Sequence, residues 1–180
     1  GIDASPEVQS AAYRMNSRLG SIGVCAFWRP LKNPPLASSM SALMNQDIEA
    51  VIVLGGNPVY EFEGFSDFYQ GVQHRIHLGL HEDETGVASS WHLCAAHWLE
   101  AWDDVENSDE SVSLSQPLIQ PLFGGRNSIE VLSMLTGEFV PAKAQIEESF
   151  EGSTIQWRTA LHDGFIAGTS KEPLAPSVQS

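Results

Sequence analysis

The sequence predicts an α/β domain with a mostly parallel sheet. The run 49–54 is continuous, rich in β-branched residues and followed by two glycines, which is typical of an interior parallel strand that is covered on both faces. A second strand is predicted at 74–80, and segments with helical spacing of apolar residues alternate with these strands. Such alternation favours parallel packing with right-handed crossovers. With 180 residues, 42% of them hydrophobic, the chain is expected to bury one core.

The first elements are two helices separated by a short strand and a loop. Ser5 is followed by a proline and an acid, which predicts a helix start, and Gly20 ends the helical spacing. The short apolar run 23–27 predicts a buried strand. Three prolines between residues 30 and 35 predict a loop, and a second helix is expected over 38–44.

The later elements follow from the same rules of spacing, capping and chain breaking. They are a helix at 65–72, an exposed hairpin at 105–114, a loop at 117–125, a helix from 127 to Gly137 and a last helix at 155–165. We expect residues 1–150 to form the α/β unit. Residues 151–180 are expected to add a C-terminal helix and, after Gly168, a disordered tail to the same domain.

The charge of the chain is strongly negative, with 23 acidic and 9 basic residues and a net charge of −14. This argues against a nucleic-acid or anionic-membrane surface, because both need clustered Lys and Arg. No apolar run reaches the roughly 18 residues of a spanning helix, and the N-terminus has no signal-peptide pattern. A chain that begins at Gly1 rather than Met is expected to be part of a longer protein.

The two cysteines, Cys25 and Cys94, lie far apart in the sequence and form no CxxC pair. The chain therefore cannot supply a four-cysteine zinc or iron–sulfur site. Two buried free thiols are expected, and a disulfide in an oxidising compartment is the alternative.

A loop rich in glycine follows the first predicted strand. Ligands of open α/β sheets bind in the crevice at the carboxyl ends of the strands. Gly55 and Gly56 would let the backbone approach a ligand there, and Asn57 would hydrogen-bond it. The same residues are typical of a tight strand-to-helix turn, which composition alone favours. Neither a dinucleotide-binding GxGxxG motif nor a phosphate-binding GK[ST] motif is present.

A second polar segment, 81–85, follows the second strand and is expected beside the first loop. Glu84 and Thr85 could hydrogen-bond a ligand, although acids here are also typical of a helix N-terminus, the interpretation that we favour. His77 and His81, with nearby glutamates, suggest a zinc site as a weaker hypothesis. Their spacing matches no established zinc motif.

Two further patterns bear on ligands and partners. From Arg75 to Arg126 there is no intervening Lys or Arg, and the stretch carries nine acids, so it would repel a pyrophosphate-bearing cofactor. Trp91, Trp98 and Trp102 form an aromatic-rich segment. We expect it to be a wall of the core, and an outward-facing Trp98–Trp102 pair would instead mark a docking patch.

Several runs taken together resemble one family. They are EAVIVLGGNPVY (49–60), IHLGLHEDET (76–85), WHL (91–93), HWLEAW (97–102), SQPLIQPLFGG (115–125), and the late pieces WR (157–158) and ALHDG (160–164). They resemble the molybdopterin-oxidoreductase-like portion of the B subunit of alternative complex III. This subunit is the large iron–sulfur protein of a membrane quinol:acceptor oxidoreductase. The resemblance extends from about residue 8 to 168.

The resemblance implies a Rossmann-like three-layer fold, like the cofactor-flanking α/β domain of molybdopterin oxidoreductases. In cofactor-bearing relatives, a Gly-x-Asn-Pro loop and a later Glu-Thr pair touch the pterin–guanine nucleotide. The segment 89–94 departs from the Ala-Asp-x-x-Leu-Pro pattern of those relatives. The matching positions in this chain are Gly55, Gly56, Asn57, Pro58, Glu84 and Thr85.

The function that the resemblance implies is structural. We expect a non-catalytic, cofactor-free scaffold domain with no metal of its own, on the periplasmic face of a membrane complex. Its partners would be the ferredoxin-like iron–sulfur module of the parent subunit and the membrane quinol-oxidising subunits. The alternative is a module that contributes to binding of molybdopterin guanine dinucleotide. That alternative predicts an open crevice at the sheet edge, and filling of the crevice by Tyr60 or tryptophans would exclude it.

Overall fold

A computed structural model of the chain describes residues 4–27, 39–107 and 109–172. The helices in this part of the chain are α1 Pro6–Arg18, α2 Met40–Met44, α3 Pro58–Glu61, α4 Phe65–Gly71, α5 Glu84–Ala88, α6 Ser128–Leu135, α7 Ala142–Ser149 and α8 Thr154–Asp163. The strands are β1 Ala50–Leu54, β2 His74–Gly79, β3 Trp91–Cys94, β4 Asp103–Glu106, β5 Val112–Ser115 and β6 Phe165–Ile166.

The first sheet is parallel, with strand order β1-β2-β3. Ile76 on the middle strand lies opposite Ile52 on one side and Trp91 on the other. The predicted α/β class with a parallel sheet is therefore confirmed. The prediction that 49–54 is an interior strand is wrong for the described residues, since β1 pairs only with β2 and Val51 is its one buried residue. The central place belongs to β2, which both neighbours flank.

The second sheet is antiparallel, with strand order β4-β5-β6. The hairpin predicted over 105–114 is confirmed as β4 and β5, although it starts earlier, at Asp103. The prediction that it is exposed is wrong for β5, because Leu114 is buried in a core cluster. Phe165, expected to end the last helix, instead pairs with Ser113 as part of β6. Gly164 ends α8 in the left-handed conformation, with φ of 78°, and turns the chain into that strand.

One core cluster lies between the parallel sheet and α4. Phe65 and Tyr69 are both fully buried, and their rings stack with centroids 5.4 Å apart. They pack with Val51 of β1 and with Val72, which follows α4. The helix predicted at 65–72 is confirmed as α4, and its apolar residues, which recur at about one helical turn, all pack in this cluster.

A second core cluster joins the C-terminal helices to the antiparallel sheet. Leu114 of β5 packs with Ile146, Trp157 and Ala160. The Trp157 ring also lies 5.3 Å from the ring of Phe150. The predicted last helix is confirmed as α8, where Ser153 forms a capping box with Gln156. The helix α7, which contributes Ile146, was not predicted, because its sequence is mostly polar.

The N-terminal segment follows the prediction only in its helix. The helix α1 is confirmed, with no buried residue of its own. The strand predicted at 23–27 is wrong, because the backbone N–H groups of Val24, Cys25 and Ala26 all donate to the carbonyl of Ser21 in a tight turn. The prolines at 30–35 and the tail from 173 lie outside the described residues.

The expectation of two buried thiols is also wrong. Cys25 and Cys94 are both exposed, and both are free. Cys25 is exposed because it belongs to the tight turn rather than to a strand, and Cys94 because it ends the edge strand β3.

Gly79, at the end of β2, has no room for a side chain. A Cβ at this position would lie 2.5 Å from Cε1 of His77, whose side chain is fully buried. Gly79→Ala is therefore expected to lower the free energy of unfolding by about 2 kcal/mol through overpacking. The matched control is Gly71→Ala, where no atom beyond the neighbouring residues and the backbone of α4 itself lies within 4 Å of the new Cβ. Urea unfolding of both variants tests this prediction, and equal midpoints would contradict it.

Candidate functional site

A crevice of about 500 Å³ opens at the carboxyl ends of β1 and β2 and beside the segment that follows β3. This is the edge at which open α/β sheets bind ligands. The apolar part of its lining contains Leu54, Leu78, Ala95 and other small or aliphatic residues. The polar and charged residues of the lining are Asn57, Glu61, His77, His81, Asp83, Asp103, Asn127 and Ser128.

Gly55 and Gly56, directly after β1, line this crevice. Both residues have φ of 77°, in the left-handed region that favours glycine. The N–H of Gly55 donates to the carbonyl of Leu78 at 2.9 Å, which extends the β1–β2 pairing by one residue. The carbonyl of Gly56 lies 3.2 Å from Nε2 of His77. The two glycines thus turn the chain sharply from β1 toward α3.

Asn57 connects this loop to the start of α5. Its Oδ1 accepts hydrogen bonds from the backbone N–H of Thr85 at 3.2 Å and from the Thr85 hydroxyl at 2.8 Å. Its Nδ2 donates to Oε2 of Glu84 at 2.6 Å. The Thr85 hydroxyl in turn accepts from the N–H of Val59 at 3.1 Å. The polar groups of both motifs are therefore largely used in binding each other.

The six sequence-predicted site residues are divided by the structure. Gly55, Gly56 and Asn57 line the crevice. Pro58 is buried in the first turn of α3, and Thr85 is fully buried. Glu84 is exposed, and its bond to Asn57 lowers the pKa of its carboxyl below the ordinary value. The helix N-terminus expected at 81–85 is confirmed, with Asp83 as its cap.

His77 is a fully buried imidazole at the centre of this region. Since a carbonyl can only accept, the contact of its Nε2 with Gly56 requires an N–H at that nitrogen. Its Nδ1 lies 3.2 Å from Nδ1 of His92 and 3.7 Å from Oδ1 of Asp83. Burial lowers the pKa of His77 below its usual 6.5, although the carboxylate of Asp83 partly opposes the shift. The neutral imidazole thus stabilises the glycine loop through its hydrogen bond to the carbonyl of Gly56.

This buried histidine predicts a loss of stability in acid. Because its pKa is lower in the folded than in the unfolded chain, the unfolded chain binds its proton first. The stability that neutral His77 contributes is therefore complete above about pH 6.5 and declines as the pH falls toward the lower folded pKa. Urea unfolding at about pH 7.5 and about pH 5.5 measures this decline. The His77→Gln variant is expected to lose a smaller fraction of its stability over the same interval, and an equal loss would contradict the assignment to His77.

The crevice is acidic. Glu61, Asp83 and Asp103 line it, and the described residues contribute no Lys or Arg to its lining. Burial raises the pKa of Asp103 above its usual value, although a backbone N–H bond opposes the shift. Neither basic residue that borders the acidic stretch lines the crevice: Arg75 donates to the carbonyl of Ala88, and Arg126 lies over the ring of Phe139.

The tryptophans are not mainly a core wall, as the sequence led us to expect. Trp91 and Trp98 are each 67% exposed, because β3 is an edge strand and the segment after it lies at the surface. Trp102 is half-buried and packs against the second core cluster. Trp98 lines the crevice, whereas Tyr60 is 77% exposed and does not. These side chains leave the crevice open.

The histidine pair proposed for zinc lines the crevice, but its members differ. His77 directs its nitrogens to Gly56 and His92, and His81 is exposed beyond the end of β2. In the part of the chain that the structure describes, no three or more His, Cys, Asp or Glu side chains group closely enough to hold a metal.

Several residues that line the crevice were not predicted to lie at this edge of the sheet. Trp98, Asp103, Asn127 and Ser128 come from segments far from the glycine loop in the chain. Asn127 was expected only as a helix cap. It does cap α6, accepting from the N–H of Glu130 at 2.9 Å, and it also donates to the carbonyl of Trp102 at 2.6 Å. No local pattern signals that these residues meet the strand ends.

Comparison with known proteins finds no matching family model and no curated protein with significant sequence similarity. Over the described residues, no helix combines the length and the apolar character that crossing a bilayer requires.

Proposed function

We propose that this domain is a non-catalytic, cofactor-free scaffold of a molybdopterin-oxidoreductase-like iron–sulfur subunit in a membrane quinol-oxidising complex. The family and the Rossmann-like fold in this proposal rest on the sequence resemblance. So do the ferredoxin-like module and the quinol-oxidising subunits as partners, and the periplasmic face as location. The local geometry of the strand-end loops supports the structural role.

The observation that carries the proposal is the internal use of the two loop motifs. The side chains of Asn57 and Thr85 bind each other, and the amide of Asn57 also binds Glu84. A buried polar group that already has its partners gains little from a ligand, and breaking these bonds would cost about 1–3 kcal/mol for each unsatisfied group. The loops therefore have the properties of a locked structural joint between β1 and α5.

The charge of the crevice supports the same role. A pyrophosphate needs Arg, Lys, a metal ion or a free helix N-terminus to offset its charge. The described lining supplies carboxylates and no Lys or Arg, and side chains already cap two helix N-termini at the crevice, Asp83 for α5 and Asn127 for α6. A dinucleotide in this crevice would meet like charge.

One observation favours the alternative, a module that contributes to binding of molybdopterin guanine dinucleotide. The crevice is open, and its volume of about 500 Å³ lies within the range of small-molecule sites. In that function Gly55, Gly56 and Asn57 would contact part of the nucleotide, and a basic group from another domain would neutralise the pyrophosphate.

Calorimetric titration of the chain with GDP, GTP and a pterin–guanine nucleotide distinguishes the two functions. The scaffold proposal predicts dissociation constants of about a millimolar or weaker for all three. Micromolar binding that is weakened by Asn57→Ala would overturn it and support the cofactor module. The control is Asn45→Ala, an exposed asparagine at the end of α2 that does not line the crevice.

A further inference from the structure

A second pocket, of about 260 Å³, lies beside the crevice and shares Ala96, Ala101 and Asn127 with it. Its other lining residues come from the segments 100–102, 117–121 and 125–130 and from the start of α7. One water molecule occupies about 30 Å³ in the liquid, so this pocket has the volume of about nine waters and suits a small ligand. Nothing in the scaffold proposal depends on this pocket.

Two cations line this pocket, in a chain that has only nine. The backbone of Arg126 is fixed, because its N–H donates to Cys94 and its carbonyl accepts from Ala96. Lys143 lies in the first turn of α7, and its Nζ is 5.3 Å from the centre of the Trp102 ring. Among the described residues, neither cation forms an ion pair with a carboxylate. The guanidinium of Arg126 lies 5.1 Å from the centre of the Phe139 ring, so each of the two cations contacts an aromatic ring and has no carboxylate partner in the described part of the chain.

Two carboxylates line the same pocket. Oε2 of Glu100 accepts from the N–H of His97 at 3.2 Å, and Oε1 of Glu130 accepts from the N–H of Ala142 at 3.4 Å. Each contact uses one oxygen, which leaves the other oxygen of each carboxylate to accept from a ligand. The charged residues of the lining, two cations and two anions, therefore sum to zero.

We propose that this pocket binds a small zwitterion of the amino-acid class. The ligand's carboxylate would bind to Arg126 and Lys143 through charge-assisted hydrogen bonds, and its ammonium group to Glu100 and Glu130. A free phosphate suits the pocket less well, because two carboxylates and the net charge of −14 repel a dianion. A simple amine would leave the two cations unpaired.

The test is a titration of the isotopically labelled chain with glycine, followed by the amide NMR signals of Gly125 and Arg126. Acetate, ethylamine and inorganic phosphate are titrated in parallel. We expect glycine to bind about tenfold more tightly than each of the three, because only glycine satisfies both charge pairs. Stronger binding of phosphate, acetate or ethylamine than of glycine, or no saturable shift with glycine, would overturn the proposal.

Matched variants connect the binding to the pocket. Arg126→Gln and Glu100→Gln are each expected to weaken glycine binding about tenfold. Glu100→Gln keeps an acceptor oxygen for the N–H of His97, so the fold is retained. The controls are Arg158→Gln on α8 and Glu147→Gln on the exposed face of α7, which remove the same charges outside this pocket. Equal weakening by the controls would assign the effect to net charge and contradict the site.

Discussion

Replacing Trp157 by alanine is expected to lower the free energy of unfolding by about 3–5 kcal/mol. Trp157 is 5% exposed and packs with Leu114, Ile146 and Ala160, so its removal leaves a cavity between α8 and the antiparallel sheet. Both α8 and the antiparallel sheet are expected to be destabilised, because this cluster packs the C-terminal helix against Leu114 of the preceding part of the chain. Urea unfolding of the variant measures it.

The control for this prediction is Trp91→Ala. Trp91 is 67% exposed on the edge strand β3, so removing its side chain is expected to change the stability by no more than about 0.5 kcal/mol. Similar losses in the two variants would contradict the assignment of Trp157 to the core. A separate, earlier unfolding step of the C-terminal helix in the wild-type chain would contradict the shared core.

Asn57→Ala is expected to destabilise the domain by about 3 kcal/mol in the absence of any ligand. The substitution removes the acceptor of both the N–H and the hydroxyl of Thr85, which is fully buried, and so leaves polar groups without their partner. Circular dichroism during urea unfolding gives the change directly.

The same variant separates a structural from a ligand-binding role. A residue kept for a ligand would lose binding with little loss of stability, whereas a structural joint loses stability first. The control is again Asn45→Ala, whose side chain donates only to the carbonyl of Ser41 at the surface. A stability of Asn57→Ala within about 0.5 kcal/mol of the control would contradict the locked joint.

The elements that the sequence predicts correctly are those with local causes. The helix α6 begins where Asn127 caps it. The helix α4 ends at Gly71, next to Val72, the last apolar residue of its helical pattern. The run 23–27 has the composition of a strand, but the described chain offers it no partner strand, and its N–H groups turn back to Ser21. The prediction of an interior β1 was also wrong. Its apolar composition predicted cover on both faces, but β1 lies at the edge of the described sheet and only Val51 is buried.

The candidate site shows the same division between local and distant causes. The strand-end glycines and Asn57 are visible in the sequence, because a parallel strand followed by a sharp turn places them at the ligand edge. The pairing of Asn57 with Thr85 spans 28 residues and depends on how β1 and β2 align. Asp103 and Asn127 reach the crevice through tertiary packing alone, so no spacing rule could reveal them.

In the structural role proposed above, the strand-end loops bind each other rather than a nucleotide. Amide NMR of the isotopically labelled chain, with and without millimolar GDP, tests this role at the level of single residues. We expect slow hydrogen exchange at the Thr85 amide in the free chain, and no shift of the Gly55, Gly56 or Thr85 signals that saturates below about a millimolar GDP. Fast exchange at Thr85 in the free chain, together with saturable shifts confined to these signals, would contradict this role.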